Sequence, residues 1–203
     1  MPYLRFQMPQ NQKPCRYCGH EFAHGTDDSY CPECGCMIGL PLNSIEVPKR
    51  NPNALGKTVK IIFLDIDGVL NNDNTPPYPK GWPESHIHDD LVAKVERLAQ
   101  QSGAKIVMST SWRAKFSAPE FQELLGKKGL TAEIIDCTPL KFSYRDRSGD
   151  IRDWLDDNAE LGVEKFVALD DVQMYNMNGH LVLTDYHKGI TDDDVEKALK
   201  ILM

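Results

Sequence analysis

Asp65-Ile66-Asp67-Gly68-Val69-Leu70 sets two carboxylates one residue apart, directly after the apolar run Val59-Lys60-Ile61-Ile62-Phe63-Leu64. An apolar run of this length reads as a buried parallel strand. Gly68 permits the chain to turn just past it. Both carboxylates then face one small site where a hard cation and a phosphate can sit. Two further strand-like runs end in polar residues. Lys105-Ile-Val-Met leads into Ser109-Thr110-Ser111-Trp112-Arg113, and Lys165-Phe-Val-Ala-Leu169 leads into Asp170-Asp171. Between them lies a basic cluster, Lys141, Arg145 and Arg147. Carboxylates at two strand ends suit Mg²⁺, which takes oxygen ligands and keeps several of its waters.

A second constellation lies near the N-terminus. Cys15-Arg-Tyr-Cys18 and Cys31-Pro-Glu-Cys34 are two Cys-x-x-Cys pairs separated by twelve residues. Each pair can form a knuckle that points two thiolates at one ion, and two knuckles complete a tetrahedral Cys₄ zinc site. Gly19 and Gly35 follow the second cysteine of each pair and ease the turn. Such a site has no open coordination position, so its Zn²⁺ is expected to be structural. His20, His24 and Cys36 are nearby substitutes, but the regular spacing favours Cys15, Cys18, Cys31 and Cys34. Cys137 stands alone and reads as a small core residue.

Composition bounds the possibilities. The chain has 203 residues, 41% of them hydrophobic, enough for one ordinary domain and a small module. The net charge of −7 argues against non-specific coating of nucleic acid. Residues 1–60 are mildly basic, with 7 Lys+Arg against 5 Asp+Glu, so any contact with a polyanion should begin there. No apolar stretch has the length of a membrane span, and the N-terminus lacks the pattern of a signal peptide. A cytoplasmic protein with reduced thiols is expected, which favours metal binding over disulfides.

The elements that must position these residues follow from periodicity. The chain divides into a zinc ribbon at 1–36, a proline-bearing linker at 37–57 and an α/β domain at 58–203. The irregular stretch from Asn71 to Ile87 follows the first strand and should form a flap over the site. His86 and His88 at its end read as solvated loop histidines. Helices are expected over about Asp90–Gln101, ending at Gly103, and over Pro119–Leu125. A third carries Ile151, Trp154 and Leu155, with Ser148 as its cap. A last one opens at Thr191 with Asp194 as a capping-box partner. Strands are expected at Lys105–Ser109, Ala132–Asp136, Lys165–Leu169 and His180–Leu183. Alternating strand and helix imply a parallel sheet with helices on both faces, a Rossmann-like three-layer arrangement. Ligands bind at the carboxyl ends of the strands of such sheets.

The phrases Phe-Leu-Asp-Ile-Asp-Gly-Val-Leu-Asn, Ser-Thr-Ser-Trp-Arg and Ala-Leu-Asp-Asp resemble motifs of the haloacid dehalogenase (HAD) superfamily of phosphatases. More narrowly, they resemble the HAD domains of Swiss Army Knife RNA-repair proteins, which are similar to the phosphatase half of polynucleotide kinase–phosphatases. The resemblance implies roles. Asp65 would be the nucleophile that forms an aspartyl-phosphate, and Asp67 the general acid and then base. Mg²⁺ would be held by Asp65, the backbone carbonyl of Asp67 and Asp170, with Asp171 assisting. Ser109 would donate to a phosphoryl oxygen, with Thr110 or Ser111 as the alternatives. Arg147 would supply the fixed positive charge, with Arg145 or Lys141 as the alternatives. Thr110, Arg113 and Arg145 are candidate substrate contacts, although Arg113 reads equally well as half of a surface salt bridge. Trp112 reads as a packing residue or loop anchor rather than a base-stacking platform.

The gaps between motifs leave room for only a small cap or none, and an open site suits a phosphate presented on a macromolecule. The expected activity is therefore a Mg²⁺-dependent phosphomonoesterase acting on terminal phosphates of RNA or DNA. A phosphatase of phosphoproteins or small metabolites, or a non-catalytic binding module, is the alternative. The ribbon would meet a partner protein or nucleic acid. No kinase P-loop is present, so any kinase or ligase step would come from another protein.

Overall fold

The computed structural model describes residues 58–76, 80–140, 147–174 and 177–203. The expected zinc ribbon with Cys15, Cys18, Cys31 and Cys34, the linker, Lys141 and Arg145 lie outside the described residues. Among the described residues there are five strands: β1 (Val59–Leu64), β2 (Lys105–Met108), β3 (Ile134–Cys137), β4 (Val163–Asp170) and β5 (Leu181–Leu183). They form one sheet in the order β3-β2-β1-β4-β5, and every pairing is parallel. This is the α/β architecture the alternation of elements implies, with β1 at the centre.

Among the described residues, three α-helices connect strands, α1 (Asp89–Ser102), α2 (Ala118–Gly126) and α3 (Arg147–Asp157), and α4 (Asp192–Leu202) follows the last strand. Two apolar clusters show how they are layered. Ile62, Leu64, Ile106, Met108, Val167 and Leu169 point to one face and pack with Leu91, Val95 and Leu98 of α1, Phe121 of α2 and Val195 of α4. The alternate residues Ile61, Phe63, Val107, Phe166 and Ala168 point to the other face, against Ile151, Trp154 and Leu155 of α3. The period of two along each strand assigns the two sets. Phe63 is fully buried, with the ring of Trp154 edge-on at 5.4 Å and that of Phe166 at 5.8 Å. Losing such a side chain costs about 3–5 kcal/mol.

Local signals hold at most boundaries. Gly103 ends α1 in a left-handed conformation (φ 69°), closing its last turn onto Ala99. Thr191 and Asp194 form the capping box of α4. Cys137 is partly buried against the first cluster, and burial pushes its thiol up to about 11.

Ser148 departs from expectation. Helix α3 already runs at Arg147, so Ser148 lies within the helix instead of capping it. The two histidines depart as well. Neither is exposed. His88 is the N-cap residue of α1, and its Nε2 lies 2.9 Å from Thr75 Oγ1. His86 lies against Trp112, with ring centroids 5.6 Å apart. The short 3₁₀ turn Glu84–His86 precedes α1, and both rings have neighbours, Trp112 and Thr75, that a chain-local reading does not reveal. Among the described residues, no helix is long and apolar enough to cross a membrane.

Candidate active site

Register assembles the site. Leu64 pairs with Leu169 on one side and with Met108 on the other. The residues one step further along the three strands are Asp65, Asp170 and Ser109, and parallel pairing therefore sets them side by side. The amide of Asp65 donates to Leu169 O at 3.1 Å, and the amide of Ser109 donates to Leu64 O at 2.8 Å. The order of strands reverses between β1 and β4, which is where a crevice opens in sheets of this kind.

Asp65 is fully buried. Its Oδ1 accepts the Ile66 amide at 2.8 Å, and its Oδ2 accepts from Arg147 Nη1. The same Nη1 donates to Asp170 Oδ2 at 2.6 Å, so one guanidinium bridges two carboxylates. Asp170 also accepts the Val172 amide at 2.8 Å. Burial, then the neighbouring Asp170, pushes Asp65 up to about 8 against the pull of Arg147. Burial likewise pushes Asp170 up to about 6, and it raises Asp171. Burial works to lower Arg147, but the two carboxylates outweigh it and hold the guanidinium above its ordinary value.

Asp65, Asp170 and Asp171 each offer a carboxylate oxygen within 4.8 Å of the others. Two buried carboxylates and the half-buried Asp171 gather more acidic groups than one arginine can pair. An all-oxygen donor set of this kind fits Mg²⁺. The Asp67 carboxylate is not part of this cluster. Gly68 makes the cluster compact. It adopts φ +68°, and a Cβ there would meet Asp171 Cβ and Cγ at 2.6 Å. Its carbonyl is fixed by Thr184 Oγ1 at 2.8 Å.

The Asp67 side chain is held from two sides. Asn71 Nδ2 donates to Oδ1 at 3.0 Å, and Trp112 Nε1 donates to Oδ2 at 3.0 Å. Asn71 Oδ1 meanwhile accepts the Gly68 amide at 2.8 Å, tying the carboxylate to the turn that carries it. His86 Nε2 lies 3.7 Å from Asp67 Oδ1. The sequence singles out neither contact: Asn71 carries no expected role, and His86 reads there as a solvated loop histidine. Asn71 stands in the Asp-Gly-Val-Leu-Asn phrase, where its position was the available signal. His86 offered none, because its approach depends on the flap. Trp112 is the loop anchor expected of it, and it supplies the N–H as well.

The hydroxyls divide clearly. Ser109 Oγ is buried and makes no hydrogen bond among the described residues, so a donor is available at the head of β2. Thr110 is fully buried and caps the following 3₁₀ turn by accepting the Trp112 amide. Ser111 lines a neighbouring cleft. Arg113 is joined to Asp150 at 2.5 Å, both side chains being almost completely buried. It also donates to the carbonyls of Thr110 and Pro139. Burial, the largest influence, lowers the Arg113 guanidinium. The salt-bridge reading of Arg113 therefore describes its place, but the bridge is interior rather than superficial.

A cleft of about 650 Å³ opens beside Asp67 and is lined by residues that include Trp82, His86, Trp112, Lys115 and Tyr186. No curated protein matches the chain. The family model for the HAD domain in Swiss Army Knife RNA repair proteins matches residues 61–195. That span runs from β1 into α4 and contains all the residues that converge here, and the chain belongs to this family of HAD domains.

Proposed function

We propose that this protein is a Mg²⁺-dependent phosphomonoesterase that works through an aspartyl-phosphate on terminal phosphates of nucleic acid. The observation that carries this reading is the unpartnered Ser109 hydroxyl on the strand beside a carboxylate that Arg147 already touches. A hydrogen-bond donor and a fixed cation next to a buried nucleophile form a receptor for phosphoryl oxygens.

In this reading Asp65 attacks phosphorus, and Asp67 gives its proton to the departing oxygen. Water then attacks the aspartyl-phosphate while Asp67 takes back a proton, releasing phosphate and regenerating Asp65. Ser109 and Arg147 hold the phosphoryl oxygens throughout. Asp65, Asp170 and the main-chain oxygen of Asp67 would hold Mg²⁺, with Asp171 assisting, and the ion would supply charge neutralisation for the phosphoryl group. The hydrogen bonds from Asn71 and Trp112 orient Asp67 for proton transfer.

Three things support nucleic acid as substrate: membership of a family of HAD domains found in RNA repair proteins, the small insertions between motifs, and the Cys₄ set that would build a zinc ribbon. We include that ribbon, and a cytoplasmic location, in the proposal. A small phosphorylated metabolite is the second reading, and the dimensions of the cleft beside Asp67 favour it.

Phosphate release from 5′- and 3′-phosphorylated oligonucleotides, beside an aryl phosphate, tests the proposal with Mg²⁺ and with EDTA. Release from one oligonucleotide end, lost in EDTA and in Asp65→Asn, is the expected result. Release from the aryl phosphate alone would retain the chemistry and remove the nucleic acid. Silence on every substrate would overturn the enzyme and leave a binding module.

A further inference from the structure

The cleft beside Asp67 has a chemical character of its own. Asp67 lines it, whereas Asp65 and Asp170 do not. The general acid must touch the oxygen that departs from phosphorus, so the space it borders receives the leaving group. The lining combines aromatic rings with short polar groups: Trp82, His86, Trp112 and Tyr186 beside Asn72 and Thr75. A planar, heteroatom-bearing ring system fits such a lining better than a sugar or a peptide side chain does.

The rings are not equally available. Trp82 and Trp112 lie 5.3 Å apart, and each has Phe116 as a further neighbour. His86 lies against Trp112, and Lys115 Nζ sits 5.4 Å from the centre of the Trp82 ring. These rings support one another. Tyr186 differs: it is 49% exposed, and its ring neighbour among the described residues, His187, meets it edge-on at 6.4 Å.

Tyr186 is also well anchored. Asp185 and Gly189 form a bridge around it, and the amides of Lys188 and Gly189 donate to Asp185 O. Ile190 N donates to Val69 O at 2.9 Å, and Thr184 Oγ1 donates to Gly68 O, so both ends of the loop hold the turn that carries Asp67. His187 reaches Asp73 across the cleft rim at 2.5 Å. An exposed aromatic ring on a pinned loop loses little freedom when a flat ligand covers it.

We propose that this cleft is the subsite for the nucleoside that carries the phosphate, with Tyr186 as the ring on which its base stacks. The inference rests on the phosphomonoesterase reading and adds what the site recognises beyond the phosphate. Base–aromatic stacking tolerates every base, so the subsite selects for a base without selecting which one.

The test compares dinucleotides bearing a terminal phosphate on a normal nucleotide with the same molecules bearing it on an abasic tetrahydrofuran residue. Both 5′ and 3′ isomers are used, with wild type, Tyr186→Ala and Tyr186→Phe. Stacking of this kind corresponds to roughly 5- to 150-fold in binding. Wild type should favour the base-bearing substrate by a factor in that range, expressed in KM. Tyr186→Ala should bring the ratio of the two kcat/KM values towards one, and Tyr186→Phe should restore it. A ratio of one in wild type, or a ratio unchanged in Tyr186→Ala, would overturn the subsite while leaving the phosphatase intact. If nothing is hydrolysed, the phosphatase reading fails by itself. Calorimetric binding of a nucleoside monophosphate, and of ribose phosphate for comparison, then decides the subsite in the same variants. Preference for the nucleotide that Tyr186→Ala abolishes supports it, and equal binding overturns it.

Discussion

The α-carbon of Gly68 lies so close to Asp171 that a Cβ on it would come within 2.6 Å of the Asp171 side chain. The turn after the first motif and the acidic end of β4 are therefore fitted to each other, and glycine is the residue that permits the fit. Gly68→Ala would add a clash to a positive φ that already costs an L-residue about 1–2 kcal/mol. Its expected effect is a Mg²⁺ affinity at least tenfold weaker, read by calorimetric titration, with a modest fall in melting temperature. An unchanged Mg²⁺ affinity would remove Asp171 from the metal site.

Trp112 and Asp67 offer a selective test of the general-acid role proposed for Asp67. Trp112→Phe keeps the ring that packs on Trp82 and Phe116 but deletes the N–H bonded to Asp67. A hydrogen bond to a charged group contributes about 1.5–3 kcal/mol. With alkyl phosphates, whose leaving oxygen needs a proton, kcat/KM should fall roughly tenfold or more. With an aryl phosphate, which leaves without help, it should fall far less. Equal losses on both substrates would show that Trp112 acts through packing.

The acidic cluster predicts an opposed dependence on pH. The folded values of Asp65 and Asp170 lie above the ordinary aspartate value, at about 8 and about 6. The folded state therefore holds protons that the unfolded chain has released. Metal-free stability from these groups is full below about pH 4 and is lost as pH rises towards 8. Mg²⁺ needs the ionised carboxylates, so its affinity should rise across the same window, by up to about tenfold per pH unit for each proton displaced. Melting curves in EDTA and in Mg²⁺ from pH 5.5 to 8 should diverge. Asp65→Asn should flatten the EDTA curve, and parallel curves would count against the cluster as the metal site.

Arg113 and Asp150 should matter chiefly for stability. Their side chains are 4% and 1% exposed. Removing one member of a buried ion pair typically costs about 3–5 kcal/mol. Urea denaturation of Arg113→Ala should show a loss of that order. The double variant Arg113→Met/Asp150→Leu should recover part of it. A stable Arg113→Ala protein with a greatly raised KM would instead make Arg113 a substrate contact.

The sequence by itself determined the elements and the family to which they belong. Strand and helix periods are local, so Val59–Leu64, Lys105–Met108 and the Thr191–Asp194 capping box are legible from neighbouring residues alone. Parallel alternation then brings Asp65, Ser109 and Asp170 to one edge of the sheet. The tertiary structure decided what lies between chain segments that are distant in sequence. Only it sets Arg147 across Asp65 and Asp170, gives the Trp112 indole to Asp67, turns His86 inward and pins Tyr186 beside the cleft. Those contacts join separate loops through crossovers, and no local period encodes where a loop side chain comes to rest. Ser148 shows the same limit at shorter range: a serine near a helix start resembles a cap, but Arg147 before it is already helical, and its side chain is engaged with Asp65 and Asp170.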